Sequence, residues 1–179
     1  MAGYKTYIQQ LHFNGITYTQ GSVVELLNKF KVVAMDFPFK KNPKPKDLPT
    51  RDWAGSDGLD VYVPDQIPMN SYDIDVTFLY VGTDGTIRTD LINFIDFLYG
   101  RSKADSNDTV QSGRLAVYNE YTGIGRKDVV VSEIDNEVFD ADASDPDAVA
   151  KFKVKFTVYD PTTDVSVIES QGTVTGLNF

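Results

Sequence analysis

Between Tyr72 and Tyr80 the chain alternates: Tyr72, Ile74, Val76, Phe78 and Tyr80 fall at every second position, with Asp73, Asp75 and Thr77 between them. A period of two sends one set to a buried face and the other to water, so the stretch reads as a half-buried strand. Lys151 to Tyr159 repeats the pattern, with Phe152, Val154, Phe156 and Val158 on one face and Lys151, Lys153 and Lys155 on the other. Strands wet on one side belong to antiparallel sheets. Weaker strand patterns cover Lys5 to Phe13, Ile16 to Thr19, Val32 to Phe37, Arg114 to Tyr121, Asp128 to Phe139 and Val165 to Val174. Asn14-Gly15 supplies a type I′ hairpin signal between the first two.

One segment changes period. From Ile87 to Tyr99, Leu91, Phe94, Ile95 and Leu98 follow the i, i+3, i+4, i+7 spacing of an amphipathic helix. Asp84 or Thr86 stands where a cap belongs, and Gly100 where a left-handed C-terminal residue belongs. A shorter helix is also readable at Val23 to Phe30, against the β-branched preference of Val23 and Val24. The expectation is a mainly β (α+β) fold: an antiparallel β-sandwich or rolled sheet, with one flanking amphipathic helix at about 87–99.

Neither period appears between Asp36 and Asn70, which holds six of the eight prolines and the only tryptophan. A structureless segment of that length inside a compact domain points to a functional or a disordered arm. Trp53, Leu59, Val61 and Tyr62 predict that part of it is ordered. Ser102 to Ser112 is polar and aperiodic and reads as a mobile loop. With no repeat and no linker composition, residues 1–179 read as a single domain carrying an arm at about 36–70.

Composition narrows the function. The chain has no cysteine, which excludes disulfides, thiolate metal sites and cysteine nucleophiles. The sequence shows no export signal and no apolar run long enough to span a bilayer, so the expectation is a soluble, cytoplasmically made protein. Seventeen Lys and Arg against 26 Asp and Glu give a net charge of −9, the wrong sign for a nucleic-acid binder. The charge is uneven: residues 40–51 carry Lys40, Lys41, Lys44, Lys46 and Arg51 against Asp47 alone. That reads as a basic arm on an acidic body.

Candidate chemistry is sparse. His12 is the sole histidine, set between Leu11 and Phe13 with no GxSxG elbow to serve, and reads as structural or surface. Asp140, Asp142, Asp145 and Asp147 approach a calcium loop, but an EF-hand register from Asp140 puts Asp145 where glycine and Phe152 where glutamate belong. A solvated turn is the simpler reading. Asp52, Asp57 and Asp60 around Trp53 can be drawn as a glycosidase site, or as turn formers beside an aromatic anchor. Gly123-Ile-Gly125-Arg126 is half of a phosphate loop followed by a strand, with no helix to receive an anion. The expectation is no enzyme, no catalytic residue, no metal and no cofactor. What remains is an assembly protein or a ligand-binding module. The candidate interface is Lys40, Lys41, Lys44, Lys46, Arg51 and Trp53.

The order of pieces carries a resemblance. LPTRDWAGSDGLDVYVP, the strand YDIDVTFLYV, the helix DLINFIDFLYG, then GRLAVYNEY, GRKDVVVSEIDNEVF and KFKVKFTVYDP resemble the distal tail proteins of long-tailed bacteriophages, and more loosely their tail-tube subunits. The resemblance covers roughly residues 32 to 162 and lies in element order and spacing, with Arg51-Asp52 through Asp57-Gly58 as its most recognisable words. It implies a β-sandwich that assembles into a ring, commonly a hexamer, alongside other tail proteins of a phage or prophage virion, with DNA as passing cargo. An acidic lumen would let a duplex slide. The alternative expectation is a monomeric β-sandwich module for a ligand or carbohydrate.

Overall fold

The computed structural model of the chain describes residues 5–37, 43–82, 85–135, 139–140 and 149–179. Its elements are β1 (Thr6–Phe13), β2 (Tyr18–Glu25), α1 (Leu26–Phe30), β3 (Val32–Ala34), β4 (Thr50–Arg51), β5 (Asp60–Val61), β6 (Tyr72–Tyr80), α2 (Ile87–Leu98), β7 (Arg114–Asn119), β8 (Ile124–Asp135), β9 (Phe139–Asp140), β10 (Val149–Val158), β11 (Ser166–Ser170) and β12 (Thr173–Asn178). The protein is mainly β and antiparallel. One sheet runs β2-β1-β7-β8-β10-β6-β3, with β9 beside β10, and β11-β12 and β4-β5 form separate hairpins.

This sheet is rolled. Laid flat, seven strands about 4.8 Å apart would hold β2 about 29 Å from β3. The two are joined by α1, whose five residues advance only about 8 Å. The sheet therefore curls until α1 bridges its edges, and α2 lies against the concave side. The strictly alternating residues face that side: Val76, Phe78, Val154, Phe156 and Val158 are fully buried. Phe78 stacks on Phe152 at 5.7 Å and meets Phe94 of α2 edge-on at 5.4 Å, while Phe30 of α1 lies 5.4 Å from Phe94. Each such ring removes roughly 150–250 Å² from water, so this aromatic cluster is the dominant stabilising feature of the body.

The helix presents Leu91, Phe94, Phe97 and Leu98 to the core, and Ile95 only in part. Buried Gln10 donates through Nε2 to the carbonyls of Phe97 (2.8 Å) and Ser102 (2.9 Å), tying β1 to acceptors at the helix end. Gly100 adopts φ +69° as expected, and a Cβ there would fall 2.2 Å from the Gly113 nitrogen. Thr86 occupies the N-cap position but makes no side-chain capping bond; its hydroxyl pairs with Tyr80 at 3.0 Å. Asp84 lies outside the described residues.

The convex side is half covered. The β11-β12 hairpin packs Val165 and Leu177 onto Tyr7, Leu11 and Ala116, making a second, smaller core. Beyond it, β8, β10 and β6 show a wet face on which Lys155 stands between Asp75 and Glu133, and Lys153 opposite Asp135. Cations flanked by carboxylates make this face a mixed ladder rather than an acidic surface.

Several local readings change. Val23 and Val24 extend β2, and the helix there shrinks to Leu26–Phe30, because residues 23–25 pair with β1. The Asn14 turn is not type I′: Phe13 pairs with Tyr18 across four residues, only Gly15 has positive φ, and the Asn14 carboxamide accepts from the amides of Ile16 and Thr17. The two-residue hairpin with positive φ at both positions is Gln171-Gly172 instead. β8 begins at Ile124 rather than Asp128, with a bulge at Asp128 (φ +54°). The 102–112 loop is pinned to the body: Ala104, Asp108 and Val110 are buried.

Candidate assembly surface

The segment between β3 and β6 is a two-legged ribbon. At its root Phe37 is buried against Phe156 and Phe78, both 6.2 Å away. From there the legs run side by side: the Asn70 amide donates to the Lys44 carbonyl (2.9 Å), Lys46 to Pro68 (2.8 Å) and Tyr62 to Pro49 (3.1 Å), with β4 on β5 toward the tip. Prolines 45, 49, 64 and 68 set extended backbone and remove amide donors, so the legs touch intermittently. The tip is closed by Gly55 (φ +95°) and Gly58 (φ +85°), a conformation that side chains with a Cβ resist, with the Ser56 amide donating to Trp53. The long irregular insertion of the sequence is thus an ordered hairpin over residues 43–70.

Its side chains are turned outward. Of fifteen large apolar residues exposed among the described residues, six lie between positions 53 and 67: Trp53, Leu59, Val61, Tyr62, Val63 and Ile67. Six of fifteen within a fifteen-residue window is a concentration of exposed apolar side chains on the arm. Trp53 is half exposed, with the Arg51 guanidinium 4.1 Å from its ring centroid. A cation over the indole face holds the ring in place and worth about 0.5–1 kcal/mol when exposed.

Of the six candidate interface residues, the structure places Lys44, Lys46, Arg51 and Trp53 on this hairpin, all exposed; Lys40 and Lys41 lie outside the described residues. The picture of a basic arm on an acidic body is revised by the hairpin. Its outgoing leg carries Lys44, Lys46 and Arg51 with Asp47, while tip and returning leg carry Asp52, Asp57, Asp60 and Asp65 and no cation. The charge is divided within the arm.

The other candidates stay apart. His12 is exposed on β1 opposite Thr19. Asp52, Asp57 and Asp60 are exposed, and of these only Asp60 lines the open hollow of about 500 Å³ at β4 and β5, with Arg51 and Tyr62. Asp142, Asp145 and Asp147, and the side chain of Asp140, lie outside the described residues. Among the described residues no group of three or more His, Cys, Asp or Glu is placed to hold a metal ion, and no helix is long and apolar enough to cross a membrane. Arg126, from the half phosphate-loop motif, is buried on β8 and bonds the Gly125 carbonyl and Asp164 at 2.8 Å.

The sequence reading missed two polar anchors of the body. Asp108 accepts from the amides of Ser22 (2.6 Å) and Val110 (3.1 Å). Burial pushes its carboxyl up, but those amides and the Ser22 hydroxyl outweigh burial and hold it below the ordinary range. Asp128 accepts from Tyr18 (2.6 Å) and Arg114 (2.8 Å) at the β8 bulge; burial, then this bond, raises the Tyr18 hydroxyl. Neither residue stands in a recognisable motif. A second concavity of about 540 Å³ lies along β2, between Lys5, Glu25, Lys29 and Asp105; its Lys5 and Glu25 pair with each other at 3.4 Å. No protein-family model, curated protein or solved structure matches the chain.

Proposed function

We propose that this protein is a structural subunit that joins copies of itself through its arm, a ring-forming component of a phage or prophage tail in the manner of the distal tail and tail-tube proteins it resembles. The observation that carries the reading is the ordered hairpin with six exposed apolar side chains, standing on a body whose own core is filled. The exposed area of those side chains contributes nothing to the isolated fold, and its burial becomes favourable only in a contact. On this reading the chain has no active site, its partners are itself and neighbouring tail proteins, and DNA passes without being bound.

The test is sedimentation velocity and negative-stain microscopy across protein concentration. The expected result is rings, and their loss when residues 45–69 are replaced by a short glycine turn, which the Lys44–Asn70 contact makes geometrically feasible. A chain that stays monomeric at high concentration, or that assembles equally well without its arm, overturns the reading, as does tight, salt-sensitive binding of duplex DNA. Exposed Tyr62 in the open hollow at β4 and β5, with exposed Trp53 on the same hairpin, favours a second reading as a carbohydrate-binding module. A persistent monomer that binds glycans through Trp53 would establish it.

A further inference from the structure

We infer that the concavity along β2 is a binding site for an uncharged, hydroxyl-rich small molecule of one or two saccharide rings. The inference goes beyond the assembly reading and stands whether or not copies associate. Its starting point is Tyr7, a residue only 6% exposed and packed in the second core, whose hydroxyl has no hydrogen-bond partner among the described residues. A buried tyrosine ordinarily finds one. Gln9 and Gln10 also carry an unpartnered oxygen, but theirs are sealed inside, whereas Tyr7 lines the concavity of about 540 Å³. Burial raises the Tyr7 hydroxyl, with Lys5 opposing and Glu25 adding, so it stays protonated and free to donate beside those two charges.

Three parts of the fold build this site before any ligand arrives. β2 contributes Ser22 to Glu25, the turn of the β11-β12 hairpin contributes Gly172 to Val174, and the start of the 102–112 loop contributes Ala104 and Asp105. The loop is fixed in place: Ala104 is buried, the Asn107 amide donates to Asp105 at 3.0 Å, and Asp108 takes the Ser22 amide at 2.6 Å. Lys5 is held at the other side by its amide bond to the Glu120 carboxylate at 3.0 Å. The volume falls within the roughly 300–1,000 Å³ of small-molecule sites.

Charge selects the class of ligand. Lys5 and Lys29 line the concavity together with Glu25 and Asp105, so cations and carboxylates balance. An anion drawn to the lysines meets the carboxylates, and a cation meets the reverse. A zwitterion would first have to separate Lys5 from Glu25, which pair at 3.4 Å. What remains unused is neutral: the Tyr7 hydroxyl, the Asn28 carboxamide and the Thr173 hydroxyl make no side-chain hydrogen bond among the described residues. Each of these groups can both donate and accept. The hydroxyls along the rim of a saccharide ring have the same dual character, and its C–H face suits the apolar side chains of Val24 and Val174.

Heteronuclear NMR of the whole chain tests this, with the methyl glycosides of glucose, galactose and N-acetylglucosamine as probes at about 20 mM, and glycine and inorganic phosphate beside them. At least one glycoside should shift the amides of Tyr7, Val24, Glu25 and Thr173, and glycine and phosphate should not. Tyr7→Phe removes the hydroxyl and keeps the ring; it should retain the urea transition of the parent and bind that glycoside about tenfold more weakly. The site is wrong if no glycoside moves these amides, if glycine or phosphate moves them as far, or if Tyr7→Phe binds like the parent. A Tyr7→Phe chain that loses stability would show that the hydroxyl serves the fold, and would overturn the inference too. Shifts confined to Trp53 and Tyr62 would overturn it and place saccharide binding on the arm.

Discussion

Replacing Trp53 by alanine separates the two states in which that side chain can matter. In the isolated chain Trp53 is half exposed and carries the Arg51 guanidinium 4.1 Å from its ring centroid, so the expected loss to the monomer is of the size of that cation–π contact, about 0.5–1 kcal/mol. On the assembly reading, the contact would cover the remaining half of the ring. A tryptophan side chain buries up to about 250 Å², half of which at 25 cal/mol per Å² is about 3 kcal/mol, or roughly a hundredfold in each association constant. The expected outcome is a urea transition of the monomer within about 1 kcal/mol of the parent, together with a shift of the assembly midpoint by about two orders of magnitude in sedimentation velocity. The opposite pattern, an unfolded or strongly destabilised monomer with unchanged association, would show that Trp53 packs on the body and would remove the anchor from the arm.

Two further predictions concern the body that holds the arm. A Cβ on Gly125 would fall 2.8 Å from the Val117 carbonyl oxygen and 2.8 Å from the Val165 Cβ, so Gly125→Ala must lift β11-β12 off the sheet; a loss of about 2–4 kcal/mol in chemical denaturation is expected, with Leu177 exposed to proteolysis at its hairpin. Asp108 has its folded carboxyl held below the ordinary value of 3.8, so its contribution is fully present above that value and disappears as pH falls through the folded one; Asp108→Asn should cost about 1.5–3 kcal/mol at pH 7 and flatten the acid limb of stability against pH. Asp160, held low in the same sense because Thr163, Thr162 and Lys127 outweigh its burial, leaves part of that limb in place, and a variant whose acid unfolding matches the parent would refute the assignment to Asp108.

Strict periodicity was enough to read the centre of the molecule. Every residue placed on the inner faces of β6 and β10 is buried except Tyr72, which is half-buried, because a single-residue slip would turn five apolar side chains of β6, or four of β10, to water. Periodicity fails where pairing or a polar bond outside the local window decides. Val23 to Glu25 are strand because β1 lies beside them, and the polar run 102–112 is ordered because one carboxylate, Asp108, reaches the Ser22 amide 86 residues away. The arm was located by its prolines, its tryptophan and its lack of period. Its hairpin form was hidden, since the hydrogen bonds that close it are few and the charges of its two legs merge into one basic window followed by an acidic one.

The same structure explains why association would use the arm and not the sheet. A rolled sheet that stops short of closing has two edges, and each open edge is a template for pairing with any other strand. Here both are blunted. The β2 edge gives its Ser22 amide to Asp108, and β3 is only three residues long and continues into Phe37, which turns into the core. Edge-to-edge growth is thereby suppressed, while the arm, whose prolines forbid it from acting as an edge, carries the exposed tryptophan and the divided charge. A two-stranded ribbon of this kind is marginally stable alone, so the free energy that fixes its final form must come largely from what it touches. With both edges blunted in this way, a loss of the Asp108 latch should appear not only as lower stability but as aggregation that does not depend on Trp53.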